Sequence, residues 1–220
     1  MEIETNYKSY FWQSLIICIL IFGIGIYLGY FIEAHRVEKI LTLYQQSELN
    51  MLDINIQNSL LNSKNFQCEN GFEEIIDFAD RIYREALLLE EYEGANKFTE
   101  GIIIQHKKYD LLRAMLFVQA LKLKETCGKK LTTVVYFYQY QPQDLEIKSK
   151  QNVISKKLME FKEEQGNKII LIPIAGNLNL TSIEILKDYY DIKELPTVLI
   201  NEKTKITKIE ELSGLERYID

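Results

Sequence analysis

Few residues in this chain are of types that do chemistry. It carries three cysteines, Cys18, Cys68 and Cys127, and two histidines, His35 and His106. Thiols offer nucleophilic attack, disulfide exchange or metal ligation, but no two of these stand in a Cys-x-x-Cys spacing. Such small numbers exclude a zinc ribbon or a disulfide-knot scaffold. No HExxH, GxSxG, glycine-rich phosphate loop or acidic metal cluster occurs either. His106, set between Gln105 and two lysines, reads as a solvated helix residue, and Glu90-Glu91-Tyr92-Glu93 as a solvated helix end. The chain therefore shows no catalytic set, and no metal or cofactor is expected.

Cys68 and Cys127 fall at the boundaries of helical segments, and two readings stand. A bridge between them would close a loop of about 59 residues and stabilise by roughly 4 kcal/mol through chain entropy. The alternative is two unrelated free thiols on a reducing side of a membrane. If the pair is redox-active, the chain is a thiol–disulfide exchange protein; the absence of a Cys-x-x-Cys argues against it.

The elements that must position these residues begin with a membrane segment. Phe11 to Ile32 has no charge, and only Gln13 and Ser14 have polar side chains. As a helix it matches a hydrocarbon core of about 30 Å. Trp12 and Tyr30 stand near its ends, where amphipathic rings favour the interface. The acidic start Met-Glu-Ile-Glu and the lack of a small-residue cleavage site argue against a removed signal peptide. The expectation is a single-pass anchor over 11–32, after a tail of 1–10, with the lipid bilayer as its partner. Gly25 and Gly29 form a GxxxG spacing, read as chance. Cys18 is an apolar filler within the span.

No proline occurs between Glu33 and Cys127, which favours long helices. Val37, Ile40, Leu41 and Tyr44 have helical spacing, and Met51, Leu52, Ile56 and Leu60 resume it before a polar break at 62–65. A second helix is expected over 72–92, with Glu73 and Glu74 in its first turn. A third starts near Thr99 and stops at Cys127-Gly128. Residues 33–128 thus read as a helical stalk or hairpin; a homodimer through its apolar stripe is the lesser alternative because the heptad is not kept.

Beyond 129 the pattern changes to a domain over 129–220. Val134–Tyr138 and Ile169–Ile172 are apolar runs of the kind buried on both faces of a sheet. Val153, Ile154, Leu158 and Phe161 supply a helix between them. A second helix follows over 181–190 with Thr181 as its cap, then strands at 197–201 and 205–209, and a final helix from Gly214. The fold class is α/β, ordered β-α-β-α-β-β-α. The acidic balance, 26 basic against 32 acidic residues, makes nucleic acid a poor partner.

Tyr190-Asp191-Ile192-Lys193-Glu194-Leu195-Pro196-Thr197 resembles the thioredoxin-like segment in which a cis proline opens the third strand. Val135–Tyr138 resembles the first strand of that family, leading to its active-site turn. Cys127-Gly128 followed by Tyr136-Phe137-Tyr138 is similar to archaeal membrane-anchored thioredoxin-like proteins. The family implies Cys-x-x-Cys where the first strand meets its helix. Here that place reads Gln139-Tyr140-Gln141-Pro142-Gln143-Asp144, and no cysteine follows Gly128. Without sulfur the domain has no nucleophile for exchange.

The resemblance implies instead a redox-inactive module that binds another protein by strand addition. Leu195 and Pro196 would carry the groove, opposed by Tyr140 and Pro142. A spacer within a larger membrane assembly is the structural variant of the same reading. The family and the candidate bridge favour an extracytoplasmic C-terminal domain, whereas the basic residues Arg36 and Lys39 after the span lean the other way. Asn179-Leu180-Thr181 matches an N-glycosylation tripeptide, relevant only outside the cell.

Overall fold

The computed structural model describes residues 7–60, 68–95, 100–128 and 131–219. The expected polar break at 62–65 and the Thr99 start lie outside them. The chain divides into two units, Met1–Gln46 and Ser47–Asp220.

Helix α1 (Tyr7–Leu60) opens the chain. Within it Tyr10–Ile32 is long and apolar enough to cross a membrane, and none of its most apolar window is buried inside the protein. Cys18 is a free, exposed thiol here. Phe11, Trp12, Phe22 and Tyr30 are all more than half exposed.

In the second unit, α2 (Cys68–Ala95) and α3 (Glu100–Cys127) precede a four-stranded sheet. Its strands are β1 (Thr132–Tyr138), β2 (Ile169–Ala175), β3 (Thr197–Ile200) and β4 (Thr204–Ile206). They lie in the order β2-β1-β3-β4. β1 pairs with β2 in parallel from Thr132↔Ile169 to Tyr138↔Ala175. β3 runs antiparallel to β1 with Phe137↔Thr197, and β4 antiparallel to β3. The fold is therefore mixed α/β.

Both faces of the sheet are covered, which explains why β1 and β3 are continuous apolar runs rather than alternating ones. On one face α4 (Leu145–Gln165) buries Ile154, Leu158 and Phe161 against Val134, Tyr136, Val198 and Ile200. On the other, Val135, Phe137, Ile172, Ile174 and Leu199 pack with Phe78, Ile82, Leu112, Leu116 and Phe117. Ile183 of α5 (Thr181–Tyr189) completes that layer.

The α2–α3 hairpin is thus not a free-standing stalk. It shares one core with the sheet. α2 also reaches α4 on the opposite face: the Tyr83 hydroxyl lies 3.9 Å from the Met159 sulfur.

Four local expectations are corrected. α2 begins at Cys68 rather than 72. Leu180, not Thr181, is the N-cap of α5, and no side chain caps it. The strand expected over 205–209 is Thr204–Ile206, with a 3-10 turn at Ile209–Leu212, and the helix expected from Gly214 is a single 3-10 turn, Leu215–Tyr218. Gly214 precedes the second turn in the left-handed region at φ 82°, a conformation glycine adopts without steric cost.

Candidate functional site

The site expectations converge on the end of the sheet where β1 and β2 finish and β3 begins. The segment 139–144 leaves β1 there, and Asp144 caps α4 by accepting from the Glu146 amide at 2.7 Å. Gln141 holds a left-handed φ of 50° within it. Two side-chain amides clamp its backbone. Gln151 of α4 accepts from the Gln139 amide at 2.7 Å and donates to the Gln139 carbonyl at 3.0 Å. Asn177 accepts from the Tyr140 amide at 2.7 Å and donates to the Tyr140 carbonyl at 2.9 Å. Each amide thereby replaces the pairing that a further strand would supply to these backbone groups.

Leu195 and Pro196 enter β3 at the same end. Their peptide bond is cis. The Leu195 side chain closes over Gly176, where a Cβ would stand 2.9 Å from both of its methyl groups. The Gly176 amide donates to the Tyr138 carbonyl at 2.8 Å, and the Lys187 ammonium donates to the Gly176 carbonyl at 2.7 Å. Consecutive residues Gly176 and Asn177 therefore carry the two candidate walls: Leu195 on one, Tyr140 on the other. Leu195 and Pro142 are half-buried, while Pro196 and Tyr140 are buried. Tyr140 packs with Ala175 and Leu178, whereas Leu195 joins the larger core.

His106 is not solvated. It is 7% exposed, with Nε2 2.9 Å from the Tyr138 hydroxyl and its ring 4.1 Å from that of Tyr140. Asp110 and Arg113 follow at helical spacing on the same face of α3, both buried. Asp110 accepts from the Ala175 amide at 3.0 Å and from the Arg113 guanidinium at 3.3 Å. Burial pushes the Asp110 carboxyl above the usual carboxylate range, outweighing the downward pull of Arg113 and His106. For Arg113, burial works against the charge, but Tyr138 and Asp110 prevail and hold the guanidinium above its ordinary value. The sheet-facing stripe of α3 thus changes from apolar Phe117 and Ala120 to His106, Asp110 and Arg113 as it passes the strand ends. Local sequence hides this, because Lys107 and Lys108 beside His106 suggest an exposed turn. The spacing 106, 110, 113, 117, 120 is the signal that finds it.

Cys68 and Cys127 form a disulfide, with Cα atoms 5.7 Å apart. It ties the first residue of α2 to the last residue of α3. Cys68 accordingly stands at a helix N-terminus and Cys127 at a helix C-terminus. Among the described residues no group of three metal-ligating side chains assembles.

No protein-family model matches this chain, and a search of curated proteins finds no match.

Proposed function

We propose that this chain is a membrane-anchored, thioredoxin-like binding module whose catalytic turn has lost its sulfur. The observation that carries this reading is the order β2-β1-β3-β4, with β1 and β2 parallel, β3 and β4 antiparallel, and Leu195-Pro196 entering β3 beside the turn that follows β1. In place of two cysteines the turn holds Gln139–Asp144, with the backbone of Gln139 bonded by Gln151 and that of Tyr140 by Asn177.

The function that follows is recognition of another protein at this sheet end, along Leu195 and Pro196 and the Tyr140–Pro142 turn. The anchor is Tyr10–Ile32, lying in a bilayer. The Cys68–Cys127 bridge supports an extracytoplasmic position for the second unit, since such bonds persist in oxidising surroundings. A photoreactive residue at Gln143 or Glu194, both exposed, tests the reading in native membranes. The same partner is captured from both positions and not from exposed Glu164 on α4; capture from all three equally, or from none, overturns it.

One observation favours thiol–disulfide exchange as a second reading. Cys68 lies where a helix dipole favours a thiolate. It predicts that the bridge passes its oxidation to a dithiol partner; an intact bridge after incubation with reduced thioredoxin-type dithiols removes it.

A further inference from the structure

Asn179-Leu180-Thr181 lies between β2 and α5, in the loop that also supplies Asn177 to the turn. Asn179 and Thr181 are both exposed, while Leu180 between them is half-buried and packs against the core. The tripeptide is therefore pinned by its middle residue with its two informative side chains in solvent. Asn179 holds a left-handed φ of 55°, a conformation that asparagine tolerates better than most residues. Turn geometry alone explains that asparagine. It does not explain the threonine: Thr181 lies inside α5 rather than at its cap, and β-branching is no advantage at an exposed helical position.

We propose that Asn179 is a site of N-linked glycosylation, with the glycan projecting from the loop beside the candidate recognition edge. The tripeptide Asn-x-Thr, with x other than proline, is the acceptor signature and occurs nowhere else in this chain, with either Ser or Thr at its third position. The donor is an oligosaccharide linked through phosphate to a polyprenyl lipid, used by a membrane-bound transferase. The Asn179 amide nitrogen forms the bond to the sugar C1, the C1–O bond to phosphate breaks, the lipid phosphate leaves with its electron pair, and the amide proton is lost. No electrons are exchanged with an external agent. Because Asn177 is committed to the Tyr140 backbone and Asn179 is not, modification leaves the clamp on the turn intact. The inference rests on the extracytoplasmic placement proposed above.

The test uses the full chain, inserted into membranes that contain the transferase and its lipid-linked donor. An acceptor tripeptide in a flexible tag appended after Asp220 serves as the reporter of side. Intact mass is measured with and without glycan removal. The expected result is one glycan on Asn179 besides that on the tag, lost in N179Q and in T181A and retained in T181S. The inference is overturned if the tag is modified and Asn179 is not, in which case the orientation stands. If neither is modified, orientation and inference fall together. Should N179Q or T181A fold poorly, peptide mapping of the unmutated protein decides the same question directly.

Discussion

The Asn177 side chain bonds both the amide and the carbonyl of Tyr140, at 2.7 and 2.9 Å. This pairing fixes the turn that follows β1 to the loop that follows β2, at the end of the sheet where Leu195 and Pro196 enter β3. Ala at position 177 leaves both Tyr140 groups to water or without partners. The expected cost is about 1–2 kcal/mol, and the Tyr140 amide exchanges hydrogen roughly tenfold faster while the β1 amides are little changed. Site-resolved hydrogen exchange measures it; uniform acceleration across the sheet would show that the effect is global.

The Cys68–Cys127 bridge closes a long loop around the whole hairpin. Replacing both cysteines by serine, with the full chain otherwise intact, is expected to lower stability by about 4 kcal/mol. For a unit of this size that is a fall in Tm of roughly 10 °C. Calorimetry with and without reductant gives the same shift in the unmutated chain and none in the double variant. A shift below ~1 kcal/mol means that the core of α2 and α3 on the sheet leaves the reduced hairpin in place unaided.

The buried stripe His106, Asp110 and Arg113 gives a pH signature. Because burial raises the Asp110 carboxyl above its unfolded value, the folded chain binds that proton more tightly than the unfolded chain. Its ionisation penalty is absent below the unfolded pKa and is complete once pH has passed the raised value. Across that window the stability difference moves in favour of D110N as pH rises, because asparagine keeps the oxygen that accepts from Ala175 but cannot ionise. Denaturant melts of both proteins between acid and neutral pH measure it. Parallel pH profiles contradict it. D110A, which also removes the Ala175 acceptor and the carboxylate partner of buried Arg113, is expected to cost about 3–5 kcal/mol.

Much of this architecture is legible from residue patterns because the sheet is covered on both sides. Val134–Tyr138 and Thr197–Ile200 have to be uninterrupted apolar runs, and they read as such. α4 is equally plain, since Ile154, Leu158 and Phe161 form a single stripe against a polar remainder. The hairpin is harder. α3 buries Leu112 and Leu116 together with Phe117 and Ala120, on more than one side, so its polar and apolar residues cancel around the helix and it resembles a solvated stalk. The amide clamps leave no trace in sequence. Glutamine at 151 and asparagine at 177 are ordinary surface types, and their role depends on where a distant backbone lies. Leu195-Pro196 was readable as a segment, but the closure of Leu195 over Gly176 depends on a glycine nineteen positions earlier.

The central claim is recognition of a protein at the end of the sheet bounded by 139–144 and 194–197. Hydrogen exchange of the full chain, alone and with the partner captured through Gln143, tests it most directly. Slowed exchange confined to those two segments is the predicted footprint. Protection on α4 or on the outer surface of the α2–α3 hairpin, with both segments unchanged, would contradict it.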